Sequence, residues 1–117
     1  MNKKKVVVIG CGLIGHIYVK ILKKLKCKII AIVDYDKKRI DKVIKICDSK
    51  TLTFSTYNDL FKNIPQNNYD TVAIAVPASN QLEIIKKFAM IKKNILCEKP
   101  FTLNYQEAKE AIKYCTK

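Results

Sequence analysis

Val6-Val7-Val8-Ile9-Gly10-Cys11-Gly12-Leu13-Ile14-Gly15 is the stretch on which the fold turns. Four consecutive branched apolar residues read as a short buried strand. Three glycines follow at the spacing G-x-G-x-x-G. An amphipathic run then begins, with Leu13, Ile17, Ile21 and Leu25 repeating every four residues and Ile14 and Leu22 beside them. Lys20, Lys23, Lys24 and Lys26 fall on or near the opposite face. The pattern predicts strand, tight turn and helix. Gly10 allows the turn out of the strand, Gly12 lets a phosphate approach the backbone, and Gly15 lets the helix sit close on the strand. The helix N-terminus offers unpaired N–H groups and a positive dipole end to a pyrophosphate.

A second apolar run, Ile29-Ile30-Ala31-Ile32-Val33, ends in Asp34. It predicts a second strand with an acid at its tip, about 20 residues beyond the glycines, where a carboxylate accepts hydrogen bonds from a ribose diol. Strand, glycines, helix and acid together favour a dinucleotide site over a glycine-rich turn in an ordinary α/β protein.

The rest of the composition bounds the answer. A chain of 117 residues makes one domain with one core, and 49% hydrophobic residues make it globular. No apolar stretch approaches a membrane span, and Met1-Asn2-Lys3-Lys4-Lys5 runs into the first strand rather than a signal peptide. The five cysteines, Cys11, Cys27, Cys47, Cys97 and Cys115, are scattered and form no C-x-x-C, so they read as reduced thiols of a cytoplasmic protein rather than a zinc site or disulfide framework. Cys11 stands near a helix N-terminus, where a thiolate is favoured, but it reads as a small loop residue all the same. The net charge of +13 comes from 23 basic residues, of which Arg39 alone is not lysine. They are spread over every expected helix, without the arginines and interleaved aromatics of a specific nucleic-acid reader. They read as solvated surface that can help collect an anionic cofactor.

Along the chain, strands are expected at 5–10, 28–34, 52–54, 72–76 and 94–97. Helices are expected at 13–26, after the N-cap Asp36 with Ile40, Val43, Ile44 and Cys47 as the stripe, at 57–61, and at 80–91 with Leu82, Ile85 and Ala89 inward. The last helix opens at a capping box of Asn104 and Glu107 and carries the stripe Ala108, Ala111, Ile112 and Cys115. Alternating strands and helices predict a Rossmann-type α/β fold of three layers, with a parallel sheet in the order 3-2-1-4-5 and no sixth strand. The whole chain, 1–117, is one dinucleotide-binding domain in this reading. Gly10 to Gly15, Asp34, Ala75-Val76-Pro77 and Glu98-Lys99-Pro100 all fall at carboxyl ends of strands, on one rim.

With Glu98-Lys99-Pro100 the chain resembles the N-terminal domain of the glucose-fructose oxidoreductase / inositol dehydrogenase / rhizopine catabolism (Gfo/Idh/MocA) family. The resemblance spans essentially all of the chain. It rests on Gly10 to Gly15, Asp34, Ala75-Val76-Pro77, and Asn94-Ile95-Leu96-Cys97-Glu98-Lys99-Pro100-Phe101 followed by Glu107-Ala108. It implies an oxidoreductase that uses NAD, with NADP possible, to move a hydride to or from a carbon of a sugar, cyclitol or similar small polyol. Lys99 is then the catalytic residue at the substrate hydroxyl, Glu98 holds the lysine and the nicotinamide end, and Val76 and Pro77 flank the nicotinamide ribose. Leu13 and Ile14 join the three glycines and Asp34 in holding the cofactor.

The chain departs from the family at Gln81 and Tyr18, where histidines are frequent. The family also has a second, mostly antiparallel β domain that supplies the substrate pocket. The chain is therefore expected to bind dinucleotide without turnover and, with strand five left as an open edge, to self-associate or be of modest stability. A non-catalytic nucleotide-sensing Rossmann module is the alternative; it has no use for Glu-Lys-Pro after strand five. Neither a specific nucleic acid nor a membrane is an expected partner.

Overall fold

A computed structural model of the chain describes residues 4–97 and 105–115. Five strands, β1 (Lys5–Ile9), β2 (Lys28–Val33), β3 (Leu52–Phe54), β4 (Thr71–Ile74) and β5 (Asn94–Cys97), form one sheet in the order β3-β2-β1-β4-β5. Every neighbouring pair is parallel. Ile9 pairs with Val33 and Ile74, Val33 with Phe54, and Ile74 with Cys97, so the five strands end level on one rim. The order is the one expected from the alternation of elements.

The helices α1 (Leu13–Lys24), α2 (Lys37–Ile44), α3 (Tyr57–Asn63), α4 (Ala78–Met90) and α5 (Tyr105–Cys115) cover both faces of the sheet. Successive side chains of a strand point to opposite faces, and β1 shows it. Val6 and Val8 pack with Tyr18, Val19 and Leu22 of α1 and with Ile40 and Val43 of α2. Val7 and Ile9 pack with Leu60 of α3, Ile84, Ile85 and Phe88 of α4 and Ala111 of α5. Phe88 is fully buried, with the rings of Phe61 and Tyr69 at 5.1 and 6.3 Å. Asp36 caps α2 as expected, accepting from Lys38 N–H. A 3-10 turn, Gln66–Asn68, occupies the loop after Pro65. No disulfide links the five cysteines. Among the described residues, no helix is long and apolar enough to cross a membrane.

The structure corrects the expected face of α1. The buried set is Gly15, Tyr18, Val19 and Leu22, while Leu13, Ile14, Ile17, Ile21 and Leu25 are exposed. The reason is Gly15. A Cβ built there would meet Gly10 O at 1.8 Å, so this residue's face lies hard against the end of β1. Leu13 and Ile17, each two residues away, stand roughly 200° around the helix from it.

Smaller shifts affect the later elements. β4 ends at Ile74, although Ala75 N–H still donates to Ile9 O at 2.7 Å. α4 starts at Ala78, and its buried set is Gln81, Ile84, Ile85 and Phe88, with Leu82 half-buried beside the core. In α5, Ala111 is buried while Ile112 and Cys115 are exposed. The capping box at Asn104 and the Glu107 side chain lies outside the described residues.

α1 and α4 close without glycine. Lys26 and Lys92 both adopt φ +60°. Around them Cys27 N–H donates to Leu22 O and Lys26 N–H to Lys23 O, and Lys93 N–H donates to Phe88 O and Lys92 N–H to Ala89 O. Both ends are Schellman-type closures with lysine in the left-handed position.

Candidate functional site

The site grows from the loop that links β1 to α1. Gly10 has φ +102°, and a Cβ there would meet Ala75 O at 2.4 Å, so both the turn and the approach to the end of β4 require glycine. Gly12 is different. A Cβ built on it meets nothing within 4 Å, so no neighbour in the chain demands a glycine there. It is the N-cap of α1, which has no side-chain cap and no acid in its first turn. The first-turn N–H groups thus face outward with the positive dipole end beside them and no Cβ in front. That cradle fits a pyrophosphate.

Asp34 lies directly after β2 and is 7% exposed. Its Oδ2 accepts from Cys11 N–H at 2.8 Å and its Oδ1 from Asp36 N–H at 2.8 Å. The carboxylate therefore ties the glycine loop to the turn entering α2. Each oxygen keeps acceptor capacity for one further donor, so a ribose hydroxyl can still be met.

Asp34 and Gly10 line a cleft of about 520 Å³ on the α3/α4 side of the rim. Ala75, Val76 and Pro77 form its wall at the end of β4. Of the expected cofactor residues, the structure thus brings Gly10, Gly12, Gly15, Asp34, Ala75, Val76 and Pro77 to one rim. Leu13 and Ile14 stand exposed at the start of α1. β5 ends at Cys97 opposite Ile74, on the same rim. Glu98 and Lys99, expected next, lie outside the described residues.

Sequence reasoning missed Tyr35, Ser55, Thr56, Asn80 and Glu83, which also line the cleft. They follow strand ends or open helices and carry no periodic signal. Arg39 reaches the cleft too, with its Nε 3.7 Å from Asp36 Oδ2. There its charge offsets part of that of Asp34 and Asp36.

Cys11 is buried, and burial first, then the Asp34 carboxylate, pushes its thiol up to about 12. Its Sγ lies 3.8 Å from Val33 O, which suits the small loop residue that the sequence suggests. Gln81 is 2% exposed and donates from Nε2 to Val76 O at 3.1 Å, so it braces the β4–α4 connection from inside. Tyr18 is likewise buried, in the layer between α1 and the sheet. Among the described residues, no group of three or more His, Cys, Asp or Glu side chains could hold a metal ion.

Comparison with known proteins agrees with this geometry. A model described as "Oxidoreductase family, NAD-binding Rossmann fold" matches residues 4–117. The chain is 32% identical over 108 residues to the uncharacterized oxidoreductase YrbE of Bacillus subtilis (strain 168), covering 90% of this chain and 30% of that protein. It is 30% identical over 106 residues to a myo-inositol 2-dehydrogenase of Thermotoga maritima, again covering 90% and 30%. Among solved structures, an oxidoreductase from Agrobacterium radiobacter in complex with NAD+, L-tartaric acid and magnesium superposes with a TM-score of 0.87 at 26% identity, over 98% of this chain and 33% of that one. The chain thus spans about a third of the length of the proteins it matches.

Proposed function

The chain belongs to the oxidoreductase family with the NAD-binding Rossmann fold, and from that membership we propose that it is the cofactor-binding portion of a dehydrogenase acting on a carbinol carbon of a sugar, cyclitol or similar polyol. The observation that carries the reading is the uncapped start of α1 behind Gly12, set 2.8 Å-bonded through Cys11 to the acid at the end of β2. A bound nicotinamide supplies the hydride acceptor or donor. The residues of this chain hold it. First-turn N–H groups of α1 take the pyrophosphate, Asp34 takes the adenosine ribose hydroxyls, and Val76 with Pro77 walls the nicotinamide ribose.

In this proposal the neutral Lys99 Nζ takes the proton of the substrate hydroxyl in the oxidative direction and, as the ammonium, returns it to the carbonyl oxygen in the reductive direction, with Glu98 holding it. Both roles come from the resemblance of Glu98-Lys99-Pro100. The polyol class is supported by the relative named as a myo-inositol dehydrogenase. The pocket for the substrate carbon comes from a further domain, and without it the 117-residue chain binds cofactor but does not turn over. Holding a substrate carbon against the nicotinamide is worth roughly 7–11 kcal/mol of barrier. Relatives named as oxidoreductases and dehydrogenases give the nucleotide-sensing alternative no support. With five cysteines outside any disulfide, we place the protein in the cytoplasm.

Titration calorimetry with NADH and NADPH tests the cofactor half. NADH is expected to bind tighter, because Asp34 repels a 2′-phosphate and Arg39 offsets that only in part. Tighter NADPH binding overturns the assignment of Asp34. A screen of sugars and cyclitols for NADH absorbance change tests the rest. Turnover by the 117-residue chain, abolished by Lys99→Ala, would show that no further domain is needed.

A further inference from the structure

The outer face of α1 carries apolar side chains that the fold leaves uncovered. Leu13 is 78% exposed, Ile17 41%, Ile21 49% and Leu25 69%, in a row at intervals of four. The row runs about 18 Å along the helix. Ile21 forms one wall of a groove of about 330 Å³ whose other apolar lining is Ile46, just beyond α2, and Lys20, Lys23 and Lys24 rim it. Between Gly10 and Val33 the chain has Lys20, Lys23, Lys24, Lys26 and Lys28 and no acidic residue. An apolar row of this length on a globular surface is a contact surface more often than an accident.

We propose that this face docks an amphipathic helix of another protein, one with leucine-like side chains on one side and carboxylates flanking them. Ile21 and Ile46 wall the groove, and Leu13, Ile17 and Leu25 extend the apolar track along α1 on which a partner helix can lie. The lysine rim selects the charge of what enters. A second copy of this chain fails that condition, since face-to-face packing sets Lys20, Lys23 and Lys24 against the same three on a molecule of net charge +13. An anionic bilayer satisfies the charge but not the shape. Half of the helix circumference is packed on the sheet, and among the described residues no exposed tryptophan or phenylalanine accompanies the row to anchor in an interface. The cleft of the dinucleotide lies on the other face of the sheet, so a helix seated along Ile17, Ile21 and Leu25 leaves it open.

The test uses the 117-residue chain and two fluorescein-labelled 18-residue peptides read by anisotropy. One peptide has leucine at three- and four-residue intervals and glutamate elsewhere. The other keeps the glutamates and replaces each leucine by serine. The leucine peptide is expected to bind at least about tenfold tighter than the serine peptide. The double variant Ile21→Ser/Leu25→Ser, at exposed positions, should lose about tenfold for the leucine peptide with NADH affinity unchanged. Lys20→Glu/Lys24→Glu should lose as much. Equal binding of the two peptides would show attraction to any polyanion and overturn the proposal, as would a double serine variant that binds like the wild type. Co-sedimentation with phosphatidylserine vesicles that the double serine variant abolishes would assign the face to a membrane instead. A concentration-dependent dimer in sedimentation velocity, lost in the same variant, would assign it to a second copy.

Discussion

Alanine at the three glycines should split folding from binding. Gly12→Ala adds a methyl where the structure has nothing within 4 Å. In the absence of cofactor the new side chain meets no neighbour. Alanine is a poorer N-cap than glycine by up to about 1 kcal/mol, and its smaller unfolded-state entropy returns about 0.4–1 kcal/mol. The net change is close to zero, and Tm should stay within roughly 4 °C of the wild type. Binding should not survive so well. In the proposed cradle the methyl would stand where a pyrophosphate oxygen approaches the loop, and pushing that oxygen off one backbone N–H would forfeit about 1.5–3 kcal/mol. NADH affinity should therefore fall roughly 10- to 150-fold. Gly10→Ala is the contrast. Its Cβ would be 2.4 Å from Ala75 O, a backbone atom, at φ +102°. Left-handed strain of about 1–2 kcal/mol and overpacking of about 1–3 kcal/mol add to a loss that a small domain barely survives. Thermal melts by circular dichroism and NADH fluorescence titration on both variants are sufficient. A folded Gly12→Ala protein that binds NADH within threefold of wild type would refute the cradle.

Asp34→Ala orphans the N–H groups of Cys11 and Asp36 in a buried place, so it should cost about 2–5 kcal/mol without any cofactor present. Asp34→Asn, with one carbonyl oxygen, should lose about half of that; urea midpoints equal to wild type for both would show that the ties are not made in solution. Cys11 should resist iodoacetamide in the native protein at pH 8 while exposed Cys115 reacts, as peptide mass mapping would read. Since folding raises the Cys11 pKa from 9.0 to about 12, its contribution is complete below pH 9 and is lost as pH rises toward 12. Wild type should then lose about 1.4 kcal/mol more than Cys11→Ala between pH 8 and 10, and parallel pH profiles would contradict this. Tyr69→Phe removes a buried hydroxyl that has no hydrogen-bond partner among the described residues. It should leave stability unchanged or raise it by up to about 1 kcal/mol, and a loss above that in urea unfolding would reveal an unseen partner.

The sheet order and the rim were legible because each rests on a short, dense signal. Runs such as Val6 to Ile9 and Val72 to Ala75 can only be buried parallel strands, and the glycines and Asp34 mark where they end. The orientation of α1 was not legible, because a row at intervals of four reads the same whether it faces the sheet or the solvent. The deciding fact is the contact between Gly15 and the Gly10 carbonyl, and that is tertiary. In α4 a glutamine enters the core by bonding the Val76 carbonyl, and an apolar pattern passes over such a residue and slips by one position. Cys11 was legible as a small loop residue: a helix start favours a thiolate, but burial and the neighbouring carboxylate raise its pKa. The cleft residues Ser55 and Asn80 have no signature at all except adjacency to a strand end.

All three glycines of the chain stand at the rim, in the loop after β1 or the first turn of α1, while the left-handed turns at Lys26 and Lys92 sit at the far end of the sheet, where β2 and β5 begin. Backbone strain in proteins gathers where catalysis or binding exploits it. Here it is placed away from the cofactor, at about 1–2 kcal/mol for each lysine held left-handed. These two turns are thus a reserve of unused stability. Glycine at either one relieves the torsion, removes one positive charge from an already cationic surface, and leaves the dinucleotide rim untouched, so the fold can be hardened from its base without stiffening the edge that works.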